Sequence, residues 1–272
     1  MKFHWMHRFD FGNSEQELID MSIVLEKSKA YSVLLSYSFR SPDYIPILPS
    51  MIRATKKLKF MVALRAYALS PEYAIRMFNT MKNNFGDRLT FNLTAGKMLG
   101  QEEQDSIDMY NLDKSLMDTV PRRIAFADQW AERFFNTMKS KAPISYTIAN
   151  SPSTLELANK WTDYMIFHHS RLEENSAKAK NTKLVLCIDP LIRETKEELE
   201  GEIEYYYQSW KTDKSERPYS LGRQFHPIKG SMEEVKQQLR EISEKYGVNE
   251  FLIVTSQKDI SSLLRLMEEM SD

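Results

Sequence analysis

The stretch from Lys57 to Gly96 limits the possible folds most, because it encodes a strand, a helix and a second strand in succession. Residues 59–64 are a short apolar run, too short for a helix, and residues 89–94 are another. Between them, Ser70 and Pro71 supply a helix N-cap and a first helical residue. Two strands that are joined by one amphipathic helix must lie parallel. The stretch therefore predicts a right-handed βαβ unit in a buried sheet.

The same alternation of short apolar runs and amphipathic helices recurs along the chain. The predicted strands are residues 2–6, 31–35, 59–64, 89–94, 144–148, 163–167, 183–188 and 250–254. A barrel of eight β/α units needs about 250 residues, and the chain has 272. No shift in composition marks a boundary between domains. We therefore expect an α/β fold, a (β/α)8 TIM barrel that forms a single domain over residues 1–272.

Polar residues mark where several of the helices begin and end. Ser14 with Glu17, and Ser231 with Glu234, have the spacing of capping boxes, and Gly247 is placed to end the helix that Ser231 starts. The predicted helices include residues 14–29, 42–56, 70–85, 119–139, 172–180 and 194–207.

Charge and cysteine content exclude several classes of function. The formal net charge is −1, which favours neither nucleic acid nor a membrane surface as a partner. The single cysteine, Cys187, excludes an internal disulfide and a cysteine zinc site. His168 and His169 are not expected to bind a metal, because neighbours in sequence rarely face one ion. No signal peptide and no apolar segment of the ~20 residues that span a bilayer is visible, so we expect a cytoplasmic protein.

The residues of the strand–helix–strand stretch are themselves specific. They read LKFMVALR, then SP and a helix, then GDRLTFNLTAG, and the chain opens with MKFHWM. In these motifs the chain resembles the bacterial luciferase-like flavin monooxygenases, most closely their alkanesulfonate monooxygenase branch. The similarity is lost around residues 97–118 and 205–228. The segment from Trp210 to Lys229 is too short for the long insertion of the sulfonate enzymes, so we expect a luciferase-like barrel with shortened insertions.

The resemblance implies an enzyme, a flavin-dependent monooxygenase and therefore an oxidoreductase. Such an enzyme takes reduced FMN from a partner flavin reductase and uses oxygen on a small organic substrate. Two positions depart from the family: Tyr37 stands where luciferase has its catalytic histidine, and Ser41 where the sulfonate enzymes have a cysteine. The alternative is a non-catalytic flavin-binding or structural member of the same fold.

The resemblance also implies where the cofactor is bound. The flavin phosphate is expected at the turn formed by Asn150, Ser151 and Thr154, at the start of a helix. By its residues alone, this turn is an ordinary helix N-cap. The flavin ring and its ribityl chain are expected along Asn92 and Thr94.

Three more residues complete the expected cofactor site. An arginine that neutralises the phosphate in luciferase aligns with Ala95, so Lys97 is expected to supply the missing positive charge. Family members often have a non-proline cis peptide bond under the flavin ring, and the matching bond joins Tyr67 and Ala68.

Four residues are candidates for catalysis: His4, Tyr37, Ser41 and His168. Active sites of TIM barrels lie at the carboxyl ends of the strands, a rule that also selects Asp189. From there, His4 or His168 could move a proton near pH 7. The alternative for His4 is a histidine that packs inside the barrel.

A homodimer is expected, because luciferase-like proteins usually pair through helices on one side of the barrel. The helices predicted over residues 42–56 and 70–85 carry more apolar residues than one core face needs. These residues are Met51, Ile52, Met77, Phe78 and Met81.

Overall fold

Eight parallel strands close into a barrel in the computed structural model of the chain, which describes residues 1–7, 14–36, 43–95, 119–212, 227–255, 257 and 259–271. The barrel strands are β1 Lys2–His7, β2 Ser32–Leu35, β3 Lys59–Arg65, β4 Leu89–Thr94, β5 Ser145–Ile148, β6 Tyr164–His168, β7 Lys183–Ile188 and β10 Glu250–Ile253. Their order around the barrel is β1, β10, β7, β6, β5, β4, β3, β2, and β2 pairs with β1 to close it.

Helices alternate with the strands around the outside of the barrel. They are α1 Glu15–Lys27, α2 Leu48–Ala54, α3 Pro71–Phe85, α4 Val120–Met138, α5 Pro152–Trp161, α6 Leu172–Lys178, α7 Lys196–Thr212, α8 Met232–Tyr246 and α9 Ser261–Met270. In the described ranges, no helix is long and apolar enough to cross a lipid bilayer.

The predicted (β/α)8 barrel is confirmed. Each predicted barrel strand is present, and its ends differ from the prediction by no more than one residue. Sequence reasoning missed a separate sheet of two strands, β8 Leu191–Ile192 and β9 Lys229–Gly230. Each of these strands has two residues, which is too short for any periodicity to show.

Two helix predictions are wrong at their ends. The helix predicted over residues 42–56 begins only at Leu48, because the Asp43 side chain accepts a hydrogen bond from the Ile45 backbone N–H and holds a turn ahead of it. The helix predicted over residues 194–207 instead runs from Lys196 to Thr212.

The predicted helix ends elsewhere are confirmed in detail. Ser14 and Ser231 each begin a helix with a complete capping box, in which the serine and the glutamate three residues later bond each other's backbone N–H. Gly247 follows α8 at a φ of 70°, a left-handed conformation that glycine adopts without steric cost.

The core has two layers, one inside the barrel and one between the barrel and its helices. The inner layer includes Leu34, Met61, Ala63, Tyr146, Tyr164, Ile166, Val185, Leu252 and Val254. On β4, Leu89, Phe91 and Leu93 belong to the outer layer. Because side chains alternate along a strand, the even-numbered residues of β4 face the barrel interior.

Phe91 lies at the centre of the aromatic part of the outer layer and is fully buried. Its ring centroid lies 5.1 Å from that of Phe134, 5.4 Å from Phe78, 6.0 Å from Phe135 and 6.5 Å from Trp130. Phe78 belongs to α3 and the other three to α4, so this one side chain fixes β4 against both helices.

The residues behind the homodimer prediction are largely buried within the chain itself. The exposed fractions of their side chains are 1% for Met51, 3% for Ile52, 9% for Met77 and 3% for Phe78, and Met81 packs against the same core. They therefore do not supply the apolar surface on which the prediction was based. The homodimer stays a prediction.

A carboxylate and a guanidinium hold the segment that leads into β3. The Glu26 carboxylate accepts hydrogen bonds from the backbone N–H groups of Lys56, Lys57 and Leu58, at 2.5–3.0 Å. Arg88 donates from the other side, from Nε to Leu58 O at 2.7 Å and from Nη1 to Lys56 O at 2.9 Å. Glu26 thus connects α1 to the start of the barrel's third strand.

This arrangement makes part of the stability dependent on pH. Burial by itself raises the pKa of Glu26, but the three backbone hydrogen bonds and the charge of Arg88 outweigh it and hold the pKa below its ordinary value of 4.5. A carboxyl whose pKa is lowered by folding stabilises the fold above its unfolded pKa, and this contribution is lost as the pH falls through the folded pKa.

Glu26→Gln is expected to lower the free energy of unfolding at pH 7 by about 1–2 kcal/mol, a reduced effect because the carboxylate is partly exposed. The difference between the two proteins should shrink as the pH falls below the ordinary value of 4.5. Urea titrations of both proteins between pH 7 and pH 3 measure it. A constant difference over that range would contradict the role of the Glu26 charge.

Candidate functional site

The carboxyl ends of the eight barrel strands meet at one end of the barrel, which is where TIM-barrel active sites lie. We call this end the rim. Among the described residues, its polar side chains include Arg65, Tyr67, Asn92, Thr94, Asn150, His168, Asp189 and Gln257. The rim therefore gathers most of the cofactor-binding residues that sequence reasoning selected.

Asn92 lies on the inner face of β4 and is 1% exposed. Its amide oxygen, Oδ1, has no hydrogen-bond partner in the part of the chain that the structure describes. On the neighbouring strands its Cα pairs with those of Ala63 and Tyr146. A buried carbonyl without a donor costs about 1–3 kcal/mol. Asn92 thus offers an acceptor, inside the barrel, to a ligand that carries an N–H or O–H group.

Thr94 and Arg65 are neighbours at the ends of β4 and β3, where their Cα atoms pair. The Thr94 hydroxyl donates to Leu64 O at 3.3 Å. The Arg65 guanidinium lies 5.8 Å from the centroid of the Tyr67 ring and donates a hydrogen bond to its hydroxyl. Tyr67 is largely buried, and Ala68 follows it in a turn in which Ala68 N–H donates to Arg65 O at 2.9 Å.

The prediction of a cis peptide bond between Tyr67 and Ala68 is wrong, since every peptide bond in the described part of the chain is trans. The two residues nevertheless lie on the rim directly after β3, as the resemblance implies.

The turn from Asn150 to Thr154 follows β5 and begins α5. The Asn150 side-chain oxygen accepts the backbone N–H of His168 at 3.0 Å, which ties the ends of β5 and β6 together. Ser151 and Thr154 form a capping box, so each hydroxyl bonds the other residue's backbone N–H, at 3.0 and 3.3 Å. An anion at this helix end must share or replace these bonds.

His4 lies inside the barrel but not at the rim. A hydrogen bond joins its Nδ1 to Ser32 Oγ at 2.7 Å, and its Nε2 lies 2.9 Å from Glu250 Oε2. Ser32 and Glu250 are the first residues of their strands, so His4 is held toward the amino end of the barrel. The geometry favours the alternative, a packed interior histidine, and a catalytic role for His4 stays a prediction.

Glu250 also pairs with Lys2 Nζ at 3.0 Å, and its side chain is only 8% exposed. Burial by itself raises the pKa of Glu250, but the hydrogen bonds and charges of His4 and Lys2 outweigh it and leave the pKa below its ordinary value. We call Lys2, His4 and Glu250 the floor triad, because they lie together toward the amino end of the barrel.

His168 is the last residue of β6 and lies half-buried at the rim. Burial lowers its pKa, so the imidazole is neutral near pH 7 and can accept a proton. Its Cα pairs with that of Cys187 on β7. Burial raises the pKa of the Cys187 thiol to about 12, which keeps it protonated and unreactive. Of the two, His168 is the group suited to proton transfer.

Tyr37, Ser41 and Lys97 lie outside the described residues. Their predicted roles, two in catalysis and one at the flavin phosphate, stay predictions.

Gln257 is a rim residue that sequence reasoning missed, although it follows closely after the end of β10. It is 1% exposed, and its Nε2 donates to Asp189 Oδ1 at 3.2 Å and to Pro190 O at 2.8 Å. Its backbone N–H donates to Thr255 Oγ1 at 3.0 Å. Its amide oxygen, Oε1, has no partner among the described residues.

The same described residues contain no group of three or more His, Cys, Asp or Glu side chains that could hold a metal ion.

No family model and no curated protein sequence matches the chain. Solved structures do match it. Long-chain alkane monooxygenase (LadA) superposes with a TM-score of 0.74 and 12% identity, over 97% of this chain and 89% of that one. Riboflavin lyase (RcaE), solved with modified FMN and riboflavin, gives a TM-score of 0.74 and 11% identity over the same shares.

An F420-dependent secondary alcohol dehydrogenase, in complex with an F420-acetone adduct, matches over 98% of this chain and 97% of its own, with a TM-score of 0.68 and 13% identity. At these identities the likeness shows the fold alone. The chain therefore has the luciferase-like TIM-barrel fold, and its assignment to the alkanesulfonate branch stays a prediction.

Proposed function

We propose that the chain is a flavin-dependent monooxygenase of bacterial luciferase type, which uses reduced FMN and oxygen on a small organic substrate. The observation that carries the proposal is the buried Asn92 amide oxygen, which lacks a donor on the inner wall of a luciferase-like barrel. A flavin ring carries an N–H group and its ribityl chain carries hydroxyls, and either would satisfy this acceptor. The match to an alkane monooxygenase and to a protein solved with modified FMN supports the same reading.

The residues present fit such a cofactor. Asn92 and Thr94 would hold the ring and ribityl chain along the end of β4. Tyr67 and Ala68 would pack beside the ring, where they follow β3. A separate set would hold the phosphate: Asn150, Ser151 and Thr154 at the start of α5, with Lys97 as the cation. When bound, reduced flavin supplies the electrons that activate oxygen.

The chain's own residues would position the substrate and move protons. His168 is the described candidate for a general base, because its lowered pKa leaves it unprotonated near neutrality. Tyr37 and Ser41 are proposed to act with it. The partner flavin reductase, the homodimer and the cytoplasmic location are part of the same proposal.

We propose FMN rather than F420, because the resemblance between Leu58 and Gly96 is to the flavin enzymes. A non-catalytic flavin-binding protein is the alternative, and two observations favour it. Tyr37 replaces the luciferase histidine, and His4 lies at the amino end of the barrel, away from the rim.

Asn92→Leu is expected to weaken FMN binding by about 10- to 100-fold, because it removes the acceptor and leaves the ligand's donor buried without a partner. Leucine is similar in size to asparagine, so the strand should pack as before. Titration of FMN, followed by quenching of its fluorescence, measures the dissociation constant. Parallel titrations with riboflavin and F420 identify the cofactor.

Asn84→Leu is the matched control, since Asn84 lies exposed on α3 and bonds only its own helix. It should leave FMN binding unchanged. Equal FMN affinity in the wild type and in Asn92→Leu would remove the observation on which the proposal rests. Oxidation of reduced FMN by oxygen at the same rate with and without the protein would favour the non-catalytic alternative.

A further inference from the structure

Gln257 and Asp189 stand on the rim opposite Asn92. Asp189 directly follows β7, and Gln257 follows β10. Counted around the barrel from β10, strand β4 is the fourth of eight, after β7, β6 and β5. The strands that carry or precede the two amides therefore lie on opposite sides of the barrel. If flavin occupies the wall at β4, the wall at β10 faces the space that is left for the substrate.

The orientation of the Gln257 amide is fixed by its partners. Its NH₂ group contacts Asp189 Oδ1 and Pro190 O, which both accept hydrogen bonds. The carbonyl oxygen cannot take that place, because two acceptors would then face each other. The hydrogen bond from Gln257 N–H to Thr255 Oγ1 holds the backbone as well. The carbonyl oxygen is thus directed away from its neighbours by a fully engaged NH₂ group.

This carbonyl oxygen is an acceptor without a donor. Buried polar atoms in native proteins are nearly always paired, and exceptions mark unfilled sites or functional strain. Gln257 is 1% exposed and Asp189 is 8% exposed. The Gln257 carbonyl oxygen and the Asp189 carboxylate therefore lie in a poorly solvated place, where a hydrogen bond is strong. The inner wall next to them is apolar, since Ile166, Cys187 and Val254 belong to the inner layer of the core.

We propose that Gln257 and Asp189 recognise a hydroxyl or amino group on the substrate, whose remaining surface is apolar. The Gln257 carbonyl oxygen accepts one hydrogen bond from this group, and the Asp189 carboxylate supplies negative charge beside it. The identification of the ligand as the substrate rests on the proposed monooxygenase function. Recognition of the donor group does not, because it needs only residues of this chain.

Three benzyl compounds of similar size test the proposal: benzyl alcohol, benzylamine and benzyl methyl ether, which has no donor. Dissociation constants are measured by NMR titration with the flavin-free protein, and again with FMN present. We expect the wild type to bind the alcohol or the amine at least tenfold more tightly than the ether. Gln257→Leu should abolish this preference. Equal affinity for all three compounds in the wild type would overturn the proposal.

Two further variants keep the result interpretable. Gln257→Asn retains an amide with both its donor and its acceptor, so it should keep more of the donor preference than Gln257→Leu does. Asp189→Asn removes the negative charge, so it should weaken binding of the cationic benzylamine at least tenfold more than that of the neutral benzyl alcohol. Equal weakening of both would contradict the role given to the Asp189 charge. Loss of the donor preference in the exposed control Gln237→Leu would also count against the site.

The outcomes separate this inference from the proposed function. A donor preference that depends on Gln257, in a protein that binds no flavin, would uphold the recognition site and reject the monooxygenase. Normal FMN binding without any donor preference would reject the recognition site and leave the proposed flavin binding intact.

Discussion

Replacing His4 with alanine is expected to lower the free energy of unfolding by about 3–5 kcal/mol, the usual effect of leaving a buried charged group, here the Glu250 carboxylate, without one of its partners. His4 is fully buried, and both of its ring nitrogens are engaged, one by Ser32 and one by Glu250. The alanine variant removes one of the hydrogen-bond partners of the Glu250 carboxylate and opens a cavity beside the Tyr146 ring, whose centroid lies 5.5 Å from that of His4.

Urea denaturation at pH 7, followed by circular dichroism, measures this effect. His169→Ala is the matched control, because His169 is half-exposed and should change stability by less than about 1 kcal/mol. The same variants decide the role of His4. If His4→Ala is as stable as the control but oxidises reduced FMN more slowly than the wild type, the catalytic prediction is right and the structural one is wrong.

Phe91→Ala is expected to destabilise the fold by about 3–5 kcal/mol, the range for removing a buried phenylalanine side chain. Four aromatic rings surround Phe91, and these rings belong to α3 and α4. The cavity cannot collapse easily, because the backbone of β4 is fixed by its pairing with β3 and β5. Phe91→Leu keeps most of the volume and should cost about 1–2 kcal/mol.

Phe91→Ala should also affect the candidate cofactor site, since Phe91 immediately precedes Asn92. A looser strand would hold the Asn92 amide less firmly, so FMN binding should weaken in Phe91→Ala more than in Phe91→Leu. Chemical denaturation gives the stability, and the FMN titration gives the affinity. Tyr73→Ala, at a side chain that is 54% exposed, is the control and should change neither. A loss of less than about 1 kcal/mol in Phe91→Ala would show that the aromatic cluster rearranges to fill the space.

The barrel was predictable because its signals are local. Short apolar runs bounded by charge give the strands, and capping residues such as Ser14 and Ser231 give the helix starts, so strand positions agree to within one residue. The small β8–β9 sheet was not predictable, because its two strands of two residues are stabilised by pairing between distant segments. Likewise, a side chain–backbone bond at Asp43 decides where α2 begins.

The site was only partly predictable, for a different reason. The strand-end rule places Asn92, His168 and Asp189 at the rim, but it cannot show which of their atoms lack a partner. His4 illustrates the limit: its position on β1 is evident from the sequence, whereas its distance from the rim depends on partners in β2 and β10. Gln257 shows the same limit, because its orientation depends on two acceptors, Asp189 Oδ1 and Pro190 O, in the segment between β7 and β8.

The floor triad has a consequence for the order in which the chain can fold. Lys2 and His4 belong to the first strand of the barrel, and Glu250, their partner, belongs to the last. During synthesis the first strand therefore emerges long before the strand that must cover its open edge. Until β10 arrives, both β1 and β7 present unpaired backbone groups and the histidine lacks its carboxylate, a state that invites edge-to-edge association. Closure of the barrel is thus a late event that pairs its first strand with its last. Until then a nascent chain on the ribosome would remain an open sheet, whose unpaired edges favour association with other chains.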